Sequence, residues 1–245
     1  MSTSVIAAAG LAGGVWALWS LGAHVWFRGL RRGVICRGPA GAGGVAFTFD
    51  DGPDPEGTPA VADILEAAGF RGTFFVLSHR LRRFGHVARE MVQRGHEVAL
   101  HGLTHRHLWL QGPVATLRQV RLGVQAIEAA TGVRPRFYRP PWGHFNGGAA
   151  WAARRMGLAV VLWSSAPPDY RPALALPRLR EAMIRGVEPG AIIDLHDAGP
   201  AGAREALLQS LAAAVEHARL VGLAGMTLSQ LLGEPTGAGR PGVGL

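Results

Sequence analysis

The sequence has a single cysteine, Cys36, and no lysine, so its 25 basic residues are all arginine. One cysteine excludes an internal disulfide framework, and folding therefore does not depend on oxidation. The formal net charge of +8 would suit a nucleic-acid-binding protein. However, the arginines are scattered, apart from a cluster at Arg28, Arg31 and Arg32, and no RNA-binding aromatic motif accompanies them. We therefore expect no nucleic-acid partner, and we attribute the excess of arginine to a compositional bias of the genome.

Charged residues are also scarce, at 17% of the chain against 48% hydrophobic residues. This balance is typical of a packed globular protein rather than a disordered one. A length of 245 residues permits one sizeable domain or two small ones. Because no internal repeat and no second domain are visible, we expect one globular body.

Residues 5–27 contain no charged residue apart from a histidine at position 24. This stretch is long enough to cross a bilayer, and Trp16, Trp19 and Trp26 lie in its second half, as they would in an interfacial aromatic belt. Positive charge follows the stretch instead of preceding it, unlike in a cleavable signal peptide. We therefore predict that residues 1–32 form a membrane-anchor helix with a basic flank, and that the protein is a single-pass protein of the cell membrane.

Two questions about this first segment stay open at the level of sequence. The segment is rich in glycine and only moderately apolar, so it could instead be a hydrophobic arm packed on the body of the protein. The positive-inside rule would place the body on the cytoplasmic face, because the arginine cluster follows the apolar stretch. The side on which the body lies is therefore left undecided.

From residue 44 to residue 232, short apolar strands alternate with helical patterns. One of these helices is predicted to begin with Thr58 as its N-cap. Repeated strand-then-helix units indicate a parallel sheet with crossover helices, most simply a barrel-like α/β fold. Residues 233–245 are rich in glycine and proline and are predicted to form a flexible tail. The predicted strands lie at residues 44–50, 72–77, 96–100, 136–139, 158–163 and 190–195.

Polar residues follow the predicted strands at their carboxyl ends, where parallel α/β barrels build their sites. They are Asp50, Asp51, His101, His105, Arg139, Asp169 and His196.

The histidines of "HGLTH" are four residues apart, and on a helical turn their imidazoles would point the same way. Such a pair is weak evidence by itself, because spacing sets no geometry. Asp51 would complete a three-ligand set with His101 and His105 that leaves room for water, which is the arrangement of a catalytic zinc site. A cation there would neutralise one of the two adjacent carboxylates and leave the other free as a base. His107 and His144 are interpreted as residues at the rim of this predicted metal site.

Five motifs occur in a fixed order: "TFDDGPD", "HGLTH", "RPPWG", "SSAPPDY" and "IIDLHD". In this order they resemble the signature motifs of the polysaccharide deacetylase family, also known as the NodB-homology family or carbohydrate esterase family four, over residues 44–232. The resemblance implies a distorted (β/α) barrel, here preceded by the N-terminal hydrophobic helix. It also implies metal-dependent removal of N-acetyl groups from an amino-sugar glycan, such as peptidoglycan or a chitin-like oligosaccharide.

The resemblance implies four catalytic residues. Asp50 would be the general base, held in place by a charge-assisted hydrogen bond from Arg139. His196 would be the general acid that protonates the departing amine, and Asp169 would tune it.

The resemblance also implies the residues that bind the metal and the substrate. Asp51, His101 and His105 would hold a divalent ion, for which zinc is favoured. The ion would polarise the amide carbonyl and lower the pKa of the attacking water. Trp142 and Leu195 would border the pocket for the acetyl methyl group, and the backbone N–H of Trp142 would help to stabilise the oxyanion.

The chain departs from the family pattern at several positions. Gly102 stands where the second motif usually has serine or threonine. In the fourth motif Ala166 replaces an aspartate and Tyr170 a tryptophan, while Asp169 is retained. Trp142 stands where tyrosine is common. These departures put the substrate preference in question more than the catalysis.

Two alternatives to a glycan deacetylase therefore stay open. One is a catalytically weak carbohydrate-binding pseudoenzyme, which the altered fourth motif would support. The other is a deacylase of a lipid-linked sugar at the cytoplasmic face, which the arginine cluster would support.

Overall fold

The computed structural model describes residues 13–171 and 176–233. Short buried strands form a parallel sheet, and helices cover its outer face. The strands are β1 (Gly44–Asp50), β2 (Thr73–Leu77), β3 (Glu97–Gly102), β4 (Phe137–Tyr138), β5 (Ala159–Val160), β6 (Ile192–His196) and β7 (Ala224–Gly225).

A helix follows most of the strands, as expected for crossover connections in a parallel sheet. Three single turns of 3-10 helix lie at Ser78–Arg80, Leu108–Leu110 and Pro141–Gly143. The helices are α1 (Gly57–Ala67), α2 (Leu81–Gln93), α3 (Pro113–Thr131), α4 (Ala149–Arg155), α5 (Leu176–Gly186), α6 (Ala201–Leu220) and α7 (Leu228–Leu231).

The strand order is β5-β4-β3-β2-β1-β6, and β7 pairs with the start of β1. The sheet curls, because the chain after β5 leaves β4 and reaches β6 through a bridge between Ser165 and Ile193. Ile35 also forms a bridge with Val161. This departure explains why β5 has only two residues where the sequence predicts a strand over residues 158–163. The prediction of a distorted (β/α) barrel is confirmed.

Side chains along β1 alternate between two buried layers. Val45, Phe47 and Phe49 belong to the core between the sheet and the helices. Ala46 belongs to a second, smaller core inside the curled sheet, and Asp50 follows on the same inner face four residues later. By the same alternation, the inward positions at the carboxyl ends of the neighbouring strands are His101, Arg139, Asp194 and His196.

A helical segment over residues 13–29, which includes π-helical turns at Leu18–Gly22 and Val25–Gly29, lies against the barrel. We call it the N-terminal segment. Trp19 lies so close to Gly147 that a Cβ atom there would be 2.6 Å from the indole. The Trp19 carbonyl accepts a hydrogen bond from the Gly147 N–H at 2.7 Å, and the Trp19 indole N–H donates to the carbonyl of Gln111 at 3.2 Å.

The prediction of a single-pass membrane anchor over residues 1–32 is wrong. Across residues 13–171 and 176–233, no helix combines the length and the apolar character that a bilayer crossing requires. Residues 13–29 pack on the body instead, which is the alternative that the glycine-rich composition left open. Residues 1–12 of the predicted anchor, and residues 234–245 of the predicted tail, lie outside the described part of the chain.

Thr58 does not cap α1, which begins one residue earlier, at Gly57. Instead, the carboxylate of Asp54 accepts hydrogen bonds from the backbone N–H groups of Glu56 and Gly57, at 3.1 and 2.9 Å. The Thr58 hydroxyl donates to the carboxylate of Asp197. A tertiary contact therefore uses the hydroxyl that the sequence assigns to a local cap.

Candidate active site

Two buried carboxylates bind the same nitrogen of one buried arginine at the carboxyl end of the barrel. Nη1 of Arg139 donates to Oδ1 of Asp50 and to Oδ1 of Asp194, each at 2.8 Å. Arg139 is fully buried, and the two acids expose 2% and 5% of their surface. Charge-assisted hydrogen bonds of this kind fix the orientation of both acids.

Further contacts hold the Arg139 guanidinium in place. Nη2 donates to the carbonyl of Leu162 at 3.2 Å. The guanidinium also lies over the ring of Phe75, 4.1 Å from its centroid, and 5.5 Å from that of Trp163. Cation–π contacts gain strength in such a desolvated setting.

Burial sets the acidity of the two carboxyl groups. Burial raises the pKa of Asp50 well above its usual range, Arg139 opposes this effect, and the charge of Asp194 adds to it. Burial likewise raises the pKa of Asp194 against the opposing charge of Arg139. Two acids that share one cation therefore resist carrying two full negative charges together.

Asp51, His101 and His105 converge beside this pair. Oδ1 of Asp51 lies 3.5 Å from Nε2 of His101 and 3.4 Å from Nε2 of His105. Nδ1 of His101 lies 2.9 Å from the backbone carbonyl of Arg139, so the Nδ1–H donates there and the Nε2 lone pair faces Asp51. A backbone partner for the second ring nitrogen is usual for a metal-binding histidine.

The three side chains have the chemistry that a divalent cation needs. One ligand atom from each lies within 4.8 Å of the other two. Oδ1 of Asp51 is buried and has no hydrogen-bond partner within the described residues, so a cation would satisfy an otherwise unpaired oxygen. Burial lowers the pKa of both His101 and His105, which keeps the imidazoles neutral as metal binding requires.

Unusual backbone conformations place two residues of the site. Asp51 has φ 74° and Trp142 has φ 55°, both in the left-handed region. A bulky side chain is rare there, and such strain is concentrated at functional sites. The turn carries the Trp142 ring to 4.0 Å from the ring of His105, and the indole is 45% exposed.

His196 faces the same cavity from β6 and is bound by Asp169. The carboxylate of Asp169 accepts the backbone N–H of His196 at 2.7 Å and lies 3.0 Å from Nδ1. Burial lowers the pKa of His196, but the Asp169 hydrogen bond and the charges of Asp169, Asp194 and Asp50 outweigh it and raise the pKa to about 10. Tyr170, which is 57% exposed, lies 5.7 Å from the imidazole.

Asp197 supports the loop that carries Asp51. Its carboxylate is buried and accepts the hydroxyl of Thr58. A Cβ atom at Gly52 would lie 2.5 Å from Oδ2 of Asp197, so this position requires glycine. Burial, opposed by Thr58 and reinforced by the charges of Asp51 and Asp54, raises the pKa of Asp197 to about 7.

The structure brings together eight of the nine site residues named from the sequence, in one continuous cluster. Leu195 does not join them, because it is fully buried in the core between the sheet and the helices. Along β6 it points away from the cavity that its neighbours Asp194 and His196 face.

Sequence reasoning missed Asp194 and Asp197. Both flank the Leu-His pair of "IIDLHD". An acid inside an otherwise apolar strand, two residues before a site histidine, was the signal available for Asp194, because residues two apart face the same side of a strand.

Comparisons with known proteins give a consistent result. A family model described as polysaccharide deacetylase matches residues 37–161. A chitooligosaccharide deacetylase of Sinorhizobium fredii is 38% identical over 169 residues, which cover 68% of this chain and 78% of the relative. A peptidoglycan-N-acetylglucosamine deacetylase of Bacillus cereus is 28% identical over 190 residues, covering 77% and 87%. A solved peptidoglycan N-acetylglucosamine deacetylase has a similar fold, with a TM-score of 0.78, 24% identity, and coverage of 86% and 98%.

Proposed function

We propose which residues of this chain carry out its reaction. The chain belongs to the polysaccharide deacetylase family, and it is a metal-dependent hydrolase that removes N-acetyl groups from amino-sugar glycans. We assign the catalytic domain to residues 44–232. The substrate is an N-acetylated glycan of the chitooligosaccharide or peptidoglycan type, the two classes on which the named relatives act.

Asp50 is the general base. Arg139 fixes the orientation of its carboxylate at 2.8 Å, and the near-complete burial of Asp50 excludes competing bulk water. Its raised pKa makes it a stronger proton acceptor than an exposed aspartate. Asp50 takes the proton of the attacking water.

Asp51, His101 and His105 hold the divalent cation, which we propose to be zinc, because two imidazoles and one carboxylate with an open position are typical of catalytic zinc. When bound, the cation polarises the acetamide carbonyl and lowers the pKa of water. Trp142 lies against His105, so it limits the movement of that imidazole and borders the substrate.

His196 is the general acid. Its ring and backbone are both fixed by Asp169, and its pKa of about 10 keeps it protonated near neutral pH. It donates a proton to the departing amine, without which the carbon–nitrogen bond does not break. The base and the acid therefore lie at the ends of β1 and β6, which are adjacent strands paired from Ala46 with Ile192 to Asp50 with His196.

One observation carries this proposal. The partnerless buried oxygen of Asp51 faces the Nε2 atoms of two neutral histidines, directly beside an arginine-bound acid. The two alternatives are less well supported. The weakened fourth motif retains Asp169 in contact with His196, and the relatives described above are named as deacetylases.

The test combines metal analysis with acetate release. We expect the purified full chain to contain about one divalent ion per molecule and to release acetate from N-acetylated chito-oligosaccharides. Removal of the ion with a chelator should abolish the release, and zinc should restore it. A metal-loaded protein that is inactive on chito-oligosaccharides and on peptidoglycan alike would contradict the proposed function.

A further inference from the structure

An arginine of the N-terminal segment lies at the edge of the candidate active site without an acidic partner. The Arg28 guanidinium stacks on the ring of Trp163, 4.4 Å from its centroid. Within residues 13–171 and 176–233, its side chain forms no hydrogen bond or ion pair. A guanidinium presents five N–H donors, and within the described residues none of those of Arg28 is used in a hydrogen bond.

Arg28 lies close to residues that the reaction uses. A Cβ atom at Gly143 would be 2.6 Å from Nη1 of Arg28, and Gly143 follows Trp142 in the turn that borders His105. Trp163, on which Arg28 stacks, also contacts the guanidinium of Arg139. Two residues, Trp163 and Arg139, therefore link Arg28 to Asp50, the acid that serves as the base.

The packing of the N-terminal segment fixes this position. Besides the contacts of Trp19 with Gly147, the ring of Phe27 packs on that of Phe145 with 5.0 Å between centroids. The Ser20 hydroxyl donates to the carbonyl of Trp109 at 3.3 Å. An arginine that is stacked and held on a docked helix loses less freedom when it binds a ligand than an arginine on a free surface.

The burial of Arg28 and the charges around it also favour the binding of an anionic ligand. Burial lowers the pKa of Arg28, and the charge of Asp194 opposes this effect. The guanidinium is thus partly desolvated, and a partly desolvated cation gains more from an anionic ligand than a fully hydrated one. Asp194 itself is bound to Arg139, so it leaves the donors of Arg28 free.

We propose that Arg28 binds a carboxylate on the sugar next to the one that is deacetylated, and so favours an acidic glycan over a neutral one. This inference rests on the proposed function and extends it to the choice of substrate. Chito-oligosaccharides carry no charge, whereas the N-acetylmuramic acid of peptidoglycan has a lactyl group whose carboxylate is free once the stem peptide has been removed. A planar guanidinium binds a carboxylate through two parallel hydrogen bonds.

The test measures binding without turnover. Two tetrasaccharides are titrated by calorimetry into the zinc-loaded Asp50→Asn protein: neutral chitotetraose, and an alternating N-acetylglucosamine–N-acetylmuramic acid tetrasaccharide with free carboxylates. Arg28→Gln in this background should weaken the binding of the acidic tetrasaccharide about tenfold. The binding of chitotetraose should change less than about twofold.

Two further variants make the result specific. Arg32→Gln removes the same charge from an exposed arginine of the same cluster and should alter neither affinity. Arg28→Lys retains the charge and should recover part of the preference, and high salt should reduce the preference of the parent protein. A thermal melt shows whether each variant is folded.

Equal weakening for both tetrasaccharides would overturn the proposal and leave Arg28 as a support for the Pro141–Gly143 turn. Unchanged binding of the acidic tetrasaccharide, or a failure of the parent protein to bind it, would overturn it as well. Because this readout needs no hydrolysis, it is distinct from the absence of acetate release, which would count against the proposed function.

Discussion

The carboxylate of Asp169 holds His196 twice, by the backbone N–H at 2.7 Å and by the ring Nδ1–H at 3.0 Å. The first hydrogen bond fixes where β6 ends relative to the loop after β5. The second fixes the ring and leaves Nε2 for the substrate. One side chain thus sets both the position of the general acid and its affinity for a proton.

Asp169→Asn should move the alkaline limb of the activity profile to lower pH. His196 must be protonated to act, so activity falls as the pH rises through its pKa, which Asp169 raises. Without that charge we expect the limb to move down by at least about one unit and kcat to fall about 100-fold. The profile of kcat against pH on chitotetraose measures both.

Asp63→Asn is the matched control, because it changes an aspartate whose side chain is 70% exposed in α1. Its pH profile should coincide with that of the parent protein. An alkaline limb that stays in place in Asp169→Asn would show that His196 is not the group that sets it.

Asp194→Asn should move the acid limb of kcat/KM to lower pH. The base must be deprotonated, so activity falls as the pH drops through the pKa of Asp50, which burial raises and the charge of Asp194 raises further. Removal of that charge lowers the pKa of Asp50, whereas the Arg139 contact with Asp50 is retained. An acid limb that moves to higher pH would contradict this account of the shared arginine.

Asp50→Asn and His101→Ala should separate catalysis from metal binding. Asp50→Asn keeps all three proposed ligands, so we expect a normal metal content with kcat reduced at least about 1,000-fold. His101→Ala removes a ligand and should lose both metal and activity. Metal analysis of dialysed protein, together with acetate release, distinguishes the two; retention of most activity in Asp50→Asn would rule out Asp50 as the base.

Gly147→Ala should release or strain the N-terminal segment, because its new methyl group would lie 2.6 Å from the Trp19 ring. Overpacking of this kind costs about 1–3 kcal/mol. We expect a lower free energy of unfolding and faster tryptic cleavage at the arginines that follow the segment. Gly202→Ala, with no atom within 4 Å of its added carbon, should neither lower the free energy of unfolding nor speed cleavage, because alanine is favourable in a helix. Equal resistance of the two variants to trypsin would contradict the docking.

Much of the fold and the site was predictable, because strand alternation and rim position are local signals. The apolar run of β1 followed by Asp50 and Asp51 identified the carboxyl-terminal edge of the sheet as the place of the site. The position of His101 and His105 after the next apolar runs placed them at the same edge. The ion pair of Asp194 with Arg139 was not predictable from local sequence, since Arg139 follows β4, 55 residues away in the chain. Only the curl of the sheet brings the two together.

The N-terminal segment shows where the sequence is ambiguous. Hydrophobicity measures the tendency to leave water and does not identify whether lipid or protein receives the side chain. The notch that receives Trp19 is made by Gly147 and Gly148, and its shape depends on the turn before α4. The prediction of Thr58 as an N-cap is wrong for a similar reason. Its hydroxyl binds Asp197, which lies 139 residues away in the chain and gives no local signal.

The docking of Trp19 and Arg28 has a practical consequence for anyone who shortens this protein. Family similarity begins at residue 37, and a truncation at that point would look conservative in an alignment. It would nevertheless remove the indole from its glycine notch and the guanidinium from the edge of the cleft, exposing Phe145 and Trp163 to water. The shortest fragment suitable for an activity assay therefore begins upstream of residue 37, where the family similarity starts.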